Sequence, residues 1–546
     1  MKLRLVLCPI VLAVLLLSVS ASILAAQTIR ERETFHGLTN PKTVTDTLPG
    51  PQYLREHVVD GKLRLTLQDA IVLVLANNTN VRLQQLNIEN AKYSLLGAHS
   101  AFDPFVQSSF SSQGQRSQTY TQLAGAPSGL STLNQLTQAN YSQTLETGTN
   151  FQLNFNATKY SSNSTFNSVN PSITSSFGFQ FTQPLLRNRW LFANRAPLVI
   201  ARRNLRGSRA LFEAQVSGTI QQVVGQYWNV VQARGNLEVS QKSLEAAEAT
   251  YKHDKRSLEL GALPPLDIYR SESQVAGRRV QVIQSEYALK QAEDIFRQTV
   301  GADLDPYFRA LDLNLTEPPE PQEELRSIDA ATALQQALGK RPELEAAHQS
   351  LANDDTSIRL AHNNLLPDLR LSGNYSGNGL NNIGTASQVS TGGLGDSLNQ
   401  LFGFGYPTYG FGLTLNLPVR NRSGQAALGN ALVSRSRDLY TERQIKEQIT
   451  YDVSNAVHQL EEAKISIAAS KDAVELARKT MAAEQRKYEL GTGQIFLVLE
   501  AQTELASAEQ GLLQAEVSYR LAVAAVDYAT GNLLDPYGVQ ITELTR

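Results

Sequence analysis

Tyr251-Lys-His-Asp-Lys-Arg-Ser-Leu-Glu-Leu-Gly261 and, 230 positions later, Met481-Ala-Ala-Glu-Gln-Arg-Lys-Tyr-Glu-Leu-Gly491 are two versions of one phrase. The same shift carries Val223, Val230, Leu237 and Leu244 onto Val453, Leu460, Ile467 and Val474. It also carries Gly301 and Leu304-Asp-Pro-Tyr307 onto Gly531 and Leu534-Asp-Pro-Tyr537. Apolar residues that recur every seven positions mark the seam of a coiled-coil helix. Each run breaks at a glycine, the residue that ends helices most readily, and a second helical run follows. The phrase therefore reads as the tip of a long helical hairpin that occurs twice, and a chain that resembles itself is read as a repeat structure first.

The outgoing helices run from about Arg195 to Leu260 and from about Ser423 to Leu490, with Pro197 near the start of the first. At 1.5 Å per residue each extends roughly 100 Å. The return helices, Asp267–Thr299 and Phe496–Thr530, are about half as long. The long seams need further partners, either other helices of this chain or a second copy of it. A structural coiled coil is the plain alternative at this point.

Upstream of each hairpin the period changes from seven to two. Phe151-Gln-Leu-Asn-Phe-Asn-Ala157 and Phe177-Gly-Phe-Gln-Phe-Thr182 alternate strictly, as do Asp368-Leu-Arg-Leu-Ser-Gly-Asn-Tyr375 and Phe411-Gly-Leu-Thr-Leu-Asn-Leu417. Alternation of this kind marks strands with one apolar and one wet face. Here the wet positions are mainly Gln, Asn, Thr, Ser and Gly, which suit a strand lining a water-filled lumen with Phe and Leu turned to lipid. A soluble sheet half-covered by helices would show the same alternation. Ser117–Gln138 and Gly377–Gly405 read as long outer loops, with Gly392-Gly-Leu-Gly395 and Gly403-Phe-Gly405 as flexible loop sequence. The strand blocks close on Gln183-Pro-Leu-Leu-Arg-Asn-Arg189 and Asn416-Leu-Pro-Val-Arg-Asn-Arg422, where proline ends the ladder and a basic cluster marks the return to water.

In front of the strands, Leu65-Thr-Leu-Gln-Asp-Ala70 opens a helix with Thr66 and Asp69 spaced as N-cap and N3. That helix is expected to continue through Asn77-Asn78 to about Ser100. Ala98-His99 precedes Pro104 as Ala361-His362 precedes Pro367, so a counterpart is expected over Pro342–Asn364.

Residues 1–26 read as a secretory signal: Lys2 and Arg4, an apolar run Leu5–Leu17, then small residues, with cleavage expected after Ala26. The run is short for a membrane span, and no transmembrane helix is expected elsewhere. Cys8, the only cysteine, lies within the signal, so no lipid anchor, disulfide or thiolate metal site is expected in the mature chain. Loss of Lys2 and Arg4 leaves 47 basic against 51 acidic side chains, a net charge of −4, which argues against nucleic acid as a partner. The seven histidines are scattered with no HExxH pair, and neither a phosphate-cradling glycine loop nor a GxSxG elbow occurs, so no enzyme, metal or cofactor is expected.

Leu65-Thr-Leu-Gln-Asp-Ala70, Arg341-Pro342, Leu365-Leu-Pro-Asp-Leu369, Tyr488-Glu-Leu-Gly-Thr492, Leu499-Glu-Ala-Gln502 and Ala529-Thr-Gly531 together resemble the TolC-type outer-membrane efflux proteins. The likeness runs from about residue 65 to residue 537. It implies a mainly α protein with a membrane β-barrel part. A duplicated helix–strands–helix repeat would give long coiled-coil helices, an α-barrel, continuous with a trimeric outer-membrane β-barrel.

The domain reading follows: signal 1–26; linker 27–64; first repeat 65–307, with strands about 104–184 and hairpin 195–301; linker 308–326; second repeat 327–537, with strands about 367–418 and hairpin 423–531; and tail 538–546. The resemblance implies a homotrimer with four strands per chain in a twelve-stranded barrel, and a helical tunnel across the periplasm. It further implies passive export with an inner-membrane transporter and a periplasmic adaptor (membrane-fusion) protein, in contact with outer-membrane lipid. One departure stands out: Pro104 to Pro184 is 29 residues longer than Pro367 to Pro418, and the excess holds an alternating Tyr141–Ala157 segment with a turn at Glu146-Thr-Gly148. It is either an outer hairpin or an extra pair of barrel strands.

The resemblance also nominates sites. The hairpin tips Gly261, Ala262, Leu263, Gly491, Thr492 and Gly493 would meet the adaptor, although a helix-reversing turn alone accounts for their composition. Asp267 and Glu500 would form a carboxylate ring at the periplasmic entrance, and Tyr488 would hydrogen-bond across it. Asp in a first helical turn, a solvated glutamate and a seam tyrosine are their plain alternatives. A soluble coiled-coil scaffold or adaptor is the competing function, but it has no use for two sets of alternating segments.

Overall fold

The computed structural model describes residues 50–118, 125–126, 129–167, 169–260, 265–321, 324–381, 393–490 and 492–539. The signal lies outside them. The chain divides into two units, one comprising 91–205 and 350–438 and the other 42–90, 206–349 and 439–546, with further N-terminal residues outside the description.

The second unit is built on heptad seams. Helix α1, Leu67–Asn77, starts on a complete capping box: the Thr66 hydroxyl accepts from the Asp69 amide, and the Asp69 carboxylate accepts from Thr66 N–H at 3.0 Å. The single helix expected to run to Ser100 is broken at Asn78, whose backbone is extended; its side chain caps the next helix, α2 (Thr79–His99), by accepting from Asn80 N–H at 2.9 Å. Helix α3 spans Trp190–Glu259, seventy residues, and starts five residues earlier than expected, which places Pro197 seven residues into it rather than at its first turn. Helix α4 covers Pro265–Val300.

Val216, Ile220, Val223, Tyr227 and Val230 on α3 follow the 4–3–4–3 spacing and are all fully buried. Helix α6 (Pro342–Leu365) stands where the counterpart helix was expected over Pro342–Asn364, and a further helix, α5 (Ala330–Lys340), precedes it across Arg341. Helix α7 (Leu394–Phe402) falls between the last two strands, and beyond them come α8 (Arg422–Glu489) and α9 (Ile495–Ala529). Ile449, Val453, Ala456, Leu460, Ala463 and Ile467 of α8 interlock with Ala515, Tyr519, Ala522 and Val526 of α9 and with Ala333, Ala337 and Leu344.

Both segments read as linkers contribute order to this unit. β1 (Val58–Val59), β2 (Lys62–Leu65) and β7 (Asp312–Leu315) form a three-stranded sheet, with β2 and β7 parallel in register Leu63↔Leu313 and Leu65↔Leu315. Those four leucines are buried. Tyr227 ties this sheet to α3: its phenol donates to Leu65 C=O and accepts from Glu317 N–H at 3.3 Å. Its ring meets Phe296 edge-on at 6.2 Å. Burial pushes the phenol pKa up to about 12. Tyr227→Ala is expected to cost about 3–5 kcal/mol, as for other large aromatic deletions in cores, whereas Tyr227→Phe should cost about 1 kcal/mol. Chemical denaturation in detergent separates the two.

The first unit holds a six-stranded antiparallel sheet in the order β3-β4-β5-β6-β8-β9. Its strands are β3 (Phe105–Ser117), β4 (Leu130–Thr144), β5 (Asn150–Ser162), β6 (Ser172–Pro184), β8 (Asp368–Leu380) and β9 (Pro407–Asn416). The sheet has six strands where the resemblance implied four, so the excess segment, left open above, adds a pair of strands to it. The 29 additional residues supply a full hairpin within the sheet, turned at Gly148, where φ is +83° and a Cβ would meet Asn188 O at 2.9 Å. Two of the expected outer loops are also shorter than read. Residues 130–138 belong to β4, and Leu394–Phe402 forms helix α7 where the flanking glycines suggested only flexibility.

In the same unit Asp354 of α6 is buried beside Asp438 of α8. Burial first, and the Asp438 carboxylate second, hold its pKa above the usual range. A raised carboxylate pKa means that the folded state takes up its proton before the unfolded state does. The charge therefore costs stability above the folded pKa, and the cost is relieved as pH falls through it towards roughly 4. Asp354→Asn is expected to raise the melting temperature at pH 7 and to flatten the gain that the parent shows on mild acidification.

Candidate functional site

Two regions bear on function. The first is the sheet. Its register places Val106 and Phe110 of β3, Leu133 and Tyr141 of β4, and Phe151, Leu153 and Phe155 of β5 on one face. Phe177, Phe179 and Phe181 of β6, Leu369, Leu371 and Tyr375 of β8, and Tyr409, Phe411, Leu413 and Leu415 of β9 share that face. The opposite face carries Gln107, Asn140, Asn154, Gly178, Ser376 and Thr408 across one level, and Ser109, Gln138, Asn156, Ser176 and Asn378 across the next.

Among the described strand residues of this wet face the ionic side chains are two, Asp368 and Arg370 at the base of β8, paired with each other at 2.7 Å. The rest is mostly amide, hydroxyl and glycine, with Phe105, Leu130, Leu136, Tyr160, Pro184 and Leu380 as the exceptions. Among the described residues neither outer edge, β3 nor β9, has a partner strand. No described helix is long and apolar enough to cross a membrane.

The second region lies where α3, α8 and α9 end or begin in the other unit. Thr492 N–H and Gly493 N–H both donate to Lys487 C=O, at 3.0 and 3.1 Å, closing α8. A Cβ at Gly493 would stand 2.9 Å from Tyr488 N, so a side chain there would disturb the turn. One residue before the helix ends, Tyr488 packs its ring on Ile495, Val498 and Leu499 at the start of α9. Its hydroxyl donates to Asp254 Oδ1 at 2.6 Å. Asp254 is fully buried, its Oδ2 has no hydrogen-bond partner, and His253 Nδ1 lies 3.6 Å from Oδ1. One turn along α3, Thr250 accepts from Gln502 Nε2 at 3.1 Å. Two polar rungs thus tie α3 to α8 and α9 among apolar neighbours, where a hydrogen bond is strengthened and an orphaned group is costly.

Glu500 is exposed on α9. It faces an open groove of about 1480 Å³ whose walls include Tyr269, Arg270, Leu476, Phe496 and Glu504. The structure therefore brings Tyr488 against Asp254 and sets Glu500 apart on the groove. Gly261, Ala262, Leu263 and Gly491 lie outside the described residues. Asp267 falls in the first turn of α4, and its side chain is likewise outside the description. Sequence reasoning missed Asp254. The signal was present: Ala247, Tyr251, Asp254 and Leu258 follow the seam spacing, and a carboxylate at a seam position requires a partner.

A sheet with one greasy and one amide-lined face, on a chain of heptad helices up to seventy residues long, defines a channel-type protein of the outer membrane. Residues 70–302 and 333–532 match the outer membrane efflux protein family. The chain is 25% identical to outer membrane protein TolC of Vibrio cholerae serotype O1 over 366 residues, 66% of this chain and 77% of that one. It is 24% identical to outer membrane efflux protein BepC of Brucella suis biovar 1 over 379 residues, 68% and 75% of the two chains. Among solved structures it resembles CusC, with a TM-score of 0.63 at 15% identity over 90% of this chain and 99% of that one. It also resembles the Campylobacter jejuni CmeC outer membrane channel, with a TM-score of 0.60 at 14% identity over 93% of each. The chain belongs to the outer membrane efflux protein family, whose members are channels rather than enzymes.

Proposed function

We propose that this protein is the outer-membrane exit duct of a tripartite efflux or type I secretion system. In this reading it is a homotrimer that passively conducts substrates delivered by an inner-membrane transporter and a periplasmic adaptor. The observation that carries the reading is the sheet: one face suited to lipid, one lined mostly with neutral polar groups, and two long edges unpaired among the described residues. In hydrocarbon every backbone polar group must find a partner, so such a sheet spans a bilayer only as part of a closed barrel. Six strands are fewer than the eight of the smallest known barrels, so closure calls for more than one copy, β9 of one chain against β3 of the next. On α4, Leu266, Tyr269, Val280, Ile283 and Tyr287 are exposed at seam-like spacing, which supports further helices packing against them from another copy or an adaptor.

In this reading the turns at Gly261, Ala262, Leu263, Gly491, Thr492 and Gly493 meet the adaptor. Tyr488 holds the entrance closed through Asp254, while Asp267 and Glu500 set its charge. Fractionation tests the reading: recovery in the detergent-extracted outer membrane with heat-modifiable migration is expected. Release with soluble periplasmic proteins would instead favour an elongated scaffold.

A further inference from the structure

We propose that α7 is an interfacial helix that seats on the lipid side of the sheet and anchors its outer end in the headgroup region of the outer leaflet. This rests on the membrane reading of the sheet given above. Leu394, Ser397, Leu398, Leu401 and Phe402 fall on one side of α7, and Asp396, Asn399 and Gln400 on the other, the pattern of a helix lying along an apolar boundary. Ser397 and Leu401 are buried against the sheet. The seat is cut by glycine. A Cβ at Gly379 would collide with the Ser397 carbonyl, and one at Gly377 would stand 3.2 Å from Leu401 O. Ser175 Oγ bonds Ser397 Oγ at 2.7 Å, and Leu380 N–H donates to Gln400 Oε1 at 2.6 Å.

The register says which face this is. Ser175 pairs with Gly379, Phe177 with Gly377, and Phe179 with Tyr375, so the seat continues the aromatic face and not the amide face. A sheet that turns its amide face to water must therefore turn α7 to lipid. The position along the strand agrees. β8 leaves α6 at Asp368 and has thirteen residues, and its last turns carry the seat. At about 3.3 Å per residue and a tilt of roughly 40°, the strand rises about 30 Å, somewhat more than the apolar band of about 25 Å. The seat is thus placed at the outer boundary. Leu394, Phe402, Phe404 and Tyr406 beside it are all at least 40% exposed, and aromatic residues belong at that depth.

The test uses the whole chain with Cys8 replaced by serine and single cysteines introduced as Phe402→Cys, Asn399→Cys and Phe179→Cys. Each is labelled with an environment-sensitive fluorophore and reconstituted in phosphatidylcholine vesicles. The vesicles carry nitroxides either near the headgroup or deep in the acyl chain. Quenching at 402 by the shallow nitroxide, several-fold above that at 399, is expected, with 179 quenched by the deep one. If 179 is quenched while 402 matches 399 in its accessibility to an aqueous quencher, the anchor is overturned and the membrane reading of the sheet survives. Shielding of 402 from both quenchers together with disulfide formation between copies would overturn it in favour of a protein contact. Absence of quenching at 179 would remove the membrane reading on which the anchor depends. Leu394→Cys repeats the measurement should labelling at 402 disturb the helix.

Discussion

Phe179→Arg will prevent stable assembly in the outer membrane, while Asn154→Arg, on the neighbouring strand and the opposite face, will assemble. Phe179 sits midway along β6, opposite Leu153 and Tyr375, with lipid-type side chains on every side. An arginine on the lipid face at the bilayer midplane costs about 2–4 kcal/mol, and every copy in the barrel would bear that cost. Asn154 lies opposite Gly178 and Asn140 on the wet face, where a long cation reaches water. Heat-modifiable migration and urea titration in bilayers read the difference. Equal loss in both variants, or in neither, would show that the two faces are not divided between lipid and water.

The second large effect concerns the buried carboxylate. Tyr488→Phe removes the hydrogen bond that the phenol donates to the Asp254 carboxylate, whose other oxygen has no partner, and leaves the group orphaned away from water. Such a loss costs about 1–3 kcal/mol, and more where the stranded group is charged. If the pair holds an entrance shut, single-channel conductance in planar bilayers rises in Tyr488→Phe, and Asp254→Asn, which removes the charge but keeps an amide, gives a smaller rise. A double-mutant cycle should return a coupling of about 0.5–3 kcal/mol between the two positions. A melting loss without any change in conductance would make the contact a helix tie and nothing more.

Much of this architecture is legible in the sequence because its signals are local and periodic. Val453, Leu460 and Ile467 announce a seam, and Thr66 with Asp69 announces a helix start. Phe177, Phe179 and Phe181 announce a strand. The parts that stayed hidden lack such a period. β3 carries Phe105 on one face and Val106 and Phe110 on the other, with mostly serine and glutamine elsewhere, so no clear alternation shows. β2 and β7 show only two leucines apiece, too few to declare a period before pairing across some 250 residues gives them burial. α7 is nine residues bracketed by glycines that read as loop until its fit against Gly377 and Gly379 is seen. Asp254 was concealed by its neighbours: Lys252, His253, Lys255 and Arg256 make the stretch look like a solvated face, and only the seam count separates it from them. Function was more legible than its working parts, since the succession of short motifs points to the family while a gate depends on which side chains meet.

The sixth strand has a consequence for calibre. Barrel diameter grows roughly in proportion to the number of staves. In the proposed homotrimer, three sheets of this width would make eighteen, an opening about half again as broad as a ring of twelve and with roughly twice its cross-section. A mouth of that size lined by carboxamides leaves a passing solute its own hydration. Discrimination between cargoes would then have no purchase on the sheet, and whatever sorts them would have to act before they arrive there.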